Sequence, residues 1–299
     1  MDSLLPRVSL VVVNHNQGQF LSASLQSILR QTYQNLEIIF WDDGSTDQSL
    51  TIARSLAATD SRLRVIAAPH QGLGRSRTQA LAKTTGAYLG YVDADDVLAP
   101  SAVAETVTVL TEQPEFGWVY TDYQEMTSTG HVLGLGHRCQ VPYSPQGLLL
   151  NFMTFHFRLI RRSLYRQVEA QIQQEKYTLY SVDDYDLCLR LSELSPTYHL
   201  AKPLYYYRVH AHSLSHARRL RQIQESAQVV DLALIRRGLD DRYQLSVDLE
   251  TGEVALLPKL SYARQLVTQL GAIAASIPVA IALSLGSLLP LNNTAEAQS

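Results

Sequence analysis

Three carboxylates stand within four residues at Asp93-Ala94-Asp95-Asp96, directly after the apolar run 87–92. Gathering unpaired carboxylates away from water is costly, and a divalent cation removes their repulsion. Mg2+ and Mn2+ take oxygen ligands and are commonly held by one or two carboxylates plus substrate phosphates. Side chains two apart at an extended strand end point the same way, so Asp93 and Asp95 can share one ligand site. The same residues would equally make a solvated acidic turn capping a helix that starts near Pro100. A second cluster, Asp42-Asp43-Gly44-Ser45-Thr46-Asp47, follows the apolar run 37–41. A carboxylate there can accept a hydrogen bond from a nucleobase N–H. The competing reading is turn chemistry, with Ser45 or Thr46 capping a helix around residues 48–58.

Elements that end where these residues begin must position them. Residues 8–13 are a continuous β-branched and leucine run bounded by Asn14-His15-Asn16, which reads as a buried parallel strand. Residues 20–31 carry Leu21, Leu25, Ile28 and Leu29 at helical spacing. Strands at 37–41, 63–66 and 87–92 alternate with helices at 48–58 and 75–84, joined by a flexible connector at 71–74. Such alternation means βαβ units and a mostly parallel sheet, which binds ligands beyond the carboxyl ends of its strands. All three polar clusters fall at those ends. Further on, the pattern predicts helices at 102–111, 185–193 and 220–237. It predicts strands at 117–120, 157–160 and 199–207, and a hairpin at 245–257 around Glu250-Thr251-Gly252. Residues 130–145 read as an extended loop and a candidate lid.

Taken in order, these segments resemble family 2 of the glycosyltransferases, which have the GT-A fold, an α/β architecture with a Rossmann-like, mostly parallel central sheet. The resemblance runs through Val8-Ser9-Leu10-Val11-Val12-Val13-Asn14-His15-Asn16, then Leu25-Gln26-Ser27-Ile28-Leu29-Arg30-Gln31-Thr32-Tyr33, then the Asp42 to Asp47 turn. It continues through Gly72-Leu73-Gly74-Arg75-Ser76-Arg77-Thr78-Gln79-Ala80-Leu81 and ends at Gly86-Ala87-Tyr88-Leu89-Gly90-Tyr91-Val92-Asp93-Ala94-Asp95-Asp96. It implies an inverting, metal-dependent transfer of a sugar from a nucleotide-diphospho-sugar donor to a hydroxyl acceptor, and the apolar C-terminal tail suggests a glycan or lipid-linked acceptor. Val13, His15, Asp43, Arg77, Asp93 and Asp95 would bind the donor, with Asp43 reading the nucleobase edge and Arg77 facing the nucleotide. His15 stands where the family often has a tyrosine near the base. Asp95, with Asp93 and His210, would hold Mn2+ or Mg2+. Asp183-Asp184 resembles the family's Glu-Asp pair, which makes Asp184 the general base, across the cleft from Asp95. The Gln-x-x-Arg-Trp motif of processive polysaccharide synthases is missing.

The resemblance gives a nucleotide-sugar half at 1–110 and an acceptor half at 111–215; beyond its reach, the residue pattern gives a helix and hairpin at 216–260 and an apolar tail at 261–299. Two other readings involve a nucleotidyltransferase acting on sugar phosphates and a non-catalytic sugar-nucleotide binder. The first would carry a basic, glycine-rich loop after the first strand, where Asn14-His15-Asn16-Gln17-Gly18 stands instead; the second has no need of Asp184. No GxGxxG follows the first strand, so dinucleotide-dependent dehydrogenase chemistry is not expected.

Composition agrees with this reading. The 299 residues are 46% hydrophobic, enough for a sizeable core. The net charge is −3, from 25 Lys+Arg against 28 Asp+Glu, without a long basic run, so nucleic acid is not an expected partner. Two widely separated cysteines, Cys139 and Cys188, read as reduced thiols of a cytoplasmic protein. The N-terminus reads as a first strand, without a cationic leader. Residues 265–295 hold no charge and are long enough to cross a bilayer, which takes roughly 20 apolar residues. Membrane contact through 266–291, at the cytoplasmic face, is one expectation; a buried alanine-rich helix is the other.

Overall fold

A computed structural model describes residues 5–151, 155–175, 182–210, 219–248 and 254–259. The first half follows the alternation in the sequence: β1 (Val8–Asn14), α1 (Gly18–Leu29), β2 (Leu36–Asp43), α2 (Ser49–Ala57), β3 (Leu63–Ala68), α3 (Leu73–Leu81) and β4 (Tyr88–Tyr91). The strands lie side by side as β3-β2-β1-β4, all parallel. Helices cover both faces, so β2 is buried along its whole length and its apolar run is continuous. Gly90 sits where β4 is closest to its neighbours; a Cβ there would come within 2.7 Å of Leu10 and 2.9 Å of Phe157.

The second half extends the same sheet. It comprises β5 (Val97–Leu98), α4 (Ala102–Glu112), β6 (Trp118–Thr127), β7 (Val132–Leu135), α5 (Pro145–Asn151), β8 (Arg158–Arg161), α6 (Arg162–Glu175), α7 (Asp183–Leu194) and β9 (Thr197–Val209). After these come α8 (Arg219–Arg236) and a separate antiparallel pair, β10 (Tyr243–Val247) with β11 (Val254–Pro258). The large sheet runs β3-β2-β1-β4-β8-β6-β9-β5, with β7 on β6. β8 is antiparallel to both β4 and β6, and β9 is parallel to β6. The carboxyl ends of β4, β6 and β9 therefore point to the same side of the sheet.

A buried ion network fixes α7. Arg190 is fully buried and bonds Asp186 at 2.8 Å and Glu175 of α6 at 2.5 Å. Glu193 pairs with Arg236 of α8 at 2.7 Å and with Arg237 just beyond it at 3.2 Å.

Several sequence expectations need correction. Residues 130–145 are not one extended loop: β7 folds back on β6, a short 3-10 turn follows at His137–Gln140, and α5 begins at Pro145. Helices α5 and α6 were not expected. In α6 the core-facing Leu164, Tyr165 and Val168 are thinly spaced among arginine, glutamine and glutamate, which hides the helical period. The 71–74 connector is tied down by hydrogen bonds to Asp43 instead of being flexible. Neither Ser45 nor Thr46 caps α2; the Ser45 hydroxyl accepts from Asn14 Nδ2 (2.9 Å) and Asn16 N (3.0 Å), and Asp47 accepts from Ser49 N (2.9 Å). The turn at 249–253 and the apolar tail at 261–299 lie outside the described residues. Among the described residues no helix is long and apolar enough to cross a membrane.

Candidate active site

The fold gives the three adjacent carboxylates different surroundings. Asp96 is buried and works structurally: it accepts from the Tyr205 hydroxyl (2.8 Å) and from Arg208 N (2.7 Å), which clips β9 to the acidic turn. Burial, with Asp95 and Asp93 adding repulsion, pushes its pKa well above the usual carboxylate range. Asp95 meets His210 just past the end of β9, Oδ2 to Nε2 at 2.9 Å. Arg208 makes this meeting possible. Its Nε donates to Asp95 O at 2.6 Å, and its guanidinium lies 4.8 Å over the Phe20 ring, which itself packs 4.8 Å from the His210 ring. Asp93 keeps 44% of its side-chain surface open. Its pKa is nonetheless raised to about 6, first by the protein mass that displaces water around it, then by Asp95 and Asp184, against the opposing pull of Arg77.

Across from this turn stands the N-terminus of α7. Asp183 and Asp184 open the helix, where its dipole favours negative charge. Arg77 of α3 joins the two halves of the chain: Nη1 donates to Asp183 Oδ2 at 2.7 Å, and Nη2 lies 3.9 Å from Asp93 Oδ1. Burial alone would lower the Arg77 pKa, but Asp183, Asp184 and Asp93 outweigh it and raise it. Asp183 is raised by burial and by Asp184, against Arg77. Sequence reading missed a second cation, Arg158 of β8. It is 6% exposed, its guanidinium lies 5.9 Å from the Tyr91 ring that Arg77 also covers at 5.5 Å, and it feels the charges of Asp184 and Asp93. An arginine inside an apolar strand pattern was its only sequence signal.

Beside this cleft, the ends of β1 and β2 are stitched together. Asn14 Nδ2 donates to Asp42 Oδ1 at 3.1 Å, and Ser45 N donates to Asp42 Oδ2 at 3.0 Å. Asp43 is 1% exposed and anchors the start of α3: Gln71 N (2.9 Å) and the Ser76 hydroxyl (2.7 Å) donate to Oδ1, and Gly72 N (2.9 Å) to Oδ2. Gly44 makes the tight turn possible, with φ +73° and room for no Cβ, since His70 N would stand 2.6 Å away. His15 is exposed and contacts Asp43 O through Nδ1 at 2.8 Å, while Val13 is half-buried in the β1–β2 pairing. The structure thus brings Asp93, Arg77, Asp183 and Asp184 together and pairs Asp95 with His210. His15 and Asp43 form a neighbouring group around the first connector.

A parallel βαβ half, an antiparallel seam at β8 and acidic turns at the carboxyl edge define a GT-A glycosyltransferase fold. The model of glycosyl transferase family 2 matches residues 9–169, and the chain belongs to that family. It is 28% identical over 235 residues to a chondroitin synthase of Escherichia coli, covering 79% of this chain and 34% of that protein, so it spans about a third of that relative's length. Its fold resembles that of a mannosyltransferase from Pyrobaculum calidifontis, solved with GDP-Man and Mn2+, with TM-score 0.56 and 20% identity over 79% of this chain and 66% of the other. It also resembles residues 1–349 of TarS from S. aureus, solved with UDP-GlcNAc, with TM-score 0.60 and 18% identity over 79% and 70%. By family the chain is a glycosyltransferase.

Proposed function

We propose that this chain transfers a sugar from a nucleotide-diphosphate donor to a glycan hydroxyl with inversion, as one step of polysaccharide synthesis. The observation that carries this reading is the convergence on Arg77 of Asp93, from the donor half, and Asp183, beside Asp184 on the other half. The site suits a divalent ion: Asp95 Oδ2 and His210 Nε2 lie 2.9 Å apart, and Asp93 is an anion under repulsion. Mn2+ or Mg2+ bound there would stabilise the charge of the departing diphosphate. Asp184, at the cleft-facing start of α7, takes the proton of the acceptor hydroxyl as it attacks the anomeric carbon; a positioned base is worth about 10²–10⁴ in rate. Arg77, paired with Asp183 at 2.7 Å and 3.9 Å from Asp93, links the two halves of the site and so keeps their relative position. His15, Asp43 and Val13 lie toward the nucleobase end of the donor. Contact of the apolar segment 266–291 with a membrane, and a lipid-linked acceptor, belong to the same proposal.

The test is a panel of UDP-, GDP- and dTDP-sugars incubated with purified protein, with and without Mn2+. Metal-dependent release of nucleoside diphosphate from one donor is expected. Indifference to every donor and to Mn2+ would overturn the reading.

A further inference from the structure

A second group of metal-type ligands lies apart from Asp95 and His210. Among the described residues, His15, Asp43 and His70 bring one ligand atom each within 4.8 Å of one another. They come from three places in the chain: the loop after β1, the end of β2 and the connector before α3. The separations are short. His15 Nδ1 lies 2.8 Å from Asp43 O, and His70 Nδ1 lies 3.1 Å from the same oxygen and 2.9 Å from Asp43 Oδ2. The two contacts to Asp43 O gather both rings at one backbone carbonyl, while the ligand atoms themselves, His70 Nδ1 and Asp43 Oδ2 at 2.9 Å with His15 within 4.8 Å of both, stand near the spacing of about 3.3–3.6 Å expected around one tetrahedral ion. The two ring centroids stand 4.2 Å apart with the planes tilted by 33°, and both Nδ1 atoms lie within 3.1 Å of Asp43 O. Two imidazolium rings so placed would repel, whereas two neutral rings sharing a cation would not. Gly72 N takes one acceptor position of Asp43 Oδ2, and a carboxylate oxygen has a second. Access is open, since the His70 side chain is 59% exposed.

We propose that His15, His70 and Asp43 form a binding site for a borderline-soft divalent ion, with Zn2+ as the type. Two imidazoles favour Zn2+ and its transition-metal neighbours over Mg2+, which prefers an all-oxygen shell. The site is separate from the pair Asp95–His210. An ion there ties the ends of β1 and β2 to the start of α3 and covers Asp43, so it competes with the nucleotide. That competition rests on the proposed donor reading; the metal site itself does not.

The experiment is calorimetric titration of chelator-stripped, full-length protein with Zn2+, in the wild type and in His15→Ala, His70→Ala and Asp95→Asn. The histidines are on the surface and Asp43 is left intact; circular dichroism checks each fold. Besides any Zn2+ taken up at Asp95–His210, which Asp95→Asn removes, a Zn2+ site is expected whose affinity falls at least tenfold in each histidine variant and persists in Asp95→Asn. Unchanged affinity in both histidine variants, or loss confined to Asp95→Asn, overturns the site. A second titration, with UDP and GDP in Mn2+, is run with and without Zn2+. Zn2+ should weaken nucleotide binding to the wild type but not to His70→Ala. Nucleotide binding indifferent to bound Zn2+ overturns the competition. If neither nucleotide binds the wild type, the donor reading fails while the Zn2+ result stands.

Discussion

Three neighbouring aspartates illustrate how much a residue's role depends on its partners. Asp96 is spent on Tyr205 and Arg208, Asp95 is offered to His210, and Asp93 is left half-open beside Arg77. Asp95→Ala should abolish transfer while circular dichroism stays that of the wild type; turnover at the wild-type rate would contradict the metal role. Asp184→Asn should cut turnover by at least about 100-fold with nucleotide binding retained, measured by single-turnover kinetics and titration. Asp93 adds a pH effect. Its folded pKa of about 6 exceeds the ordinary 3.8, so the folded chain holds that proton more tightly than the unfolded one. Its contribution favours folding at low pH and is lost as pH rises from 3.8 to about 6. Metal-stripped Asp93→Asn should therefore lose less Tm across that window than the wild type. An equal or larger loss would mean that the Asp93 charge is already relieved.

At the scale of elements, two connections decide whether the site exists. The first is the turn after β2, where Gly44 lets Asp43 reach the start of α3. Gly44→Ala places a side chain at positive φ and against His70 N, so it should destabilise by more than about 1 kcal/mol, read as a lowered denaturation midpoint. The second is the clamp on α7. Arg190→Ala leaves Asp186 and Glu175 facing each other without their cation and should cost about 3–5 kcal/mol in chemical denaturation. Because α7 carries Asp184, transfer should fall with it. Stability equal to the wild type would show that Arg236 can compensate from its positions 3.8 Å from both carboxylates.

At the scale of the whole molecule, the family match ends at residue 169, yet Asp184, His210 and the helix that clamps α7 all lie beyond it. A chain shortened to residue 259 should keep its nucleotide affinity and lose any partition into membranes; unchanged partition would remove the proposed role of 266–291. The alternating strands and helices of the first half were legible because each strand buried on both faces must be apolar throughout, and each polar cluster marks a strand end. Asp93 and Asp95 stand out where an apolar run ends, whereas Asp43 and Asp184 are singled out by the resemblance to family 2 of the glycosyltransferases. Only the tertiary structure gave Asp96 its partners Tyr205 and Arg208, committed Asp43 to a helix start, and set Arg158 and His70 beside groups far away in sequence. Local pattern records which side chains face a core. Which distant charges come to share a small volume depends on strand order, and β8 set antiparallel between β4 and β6 decided that here.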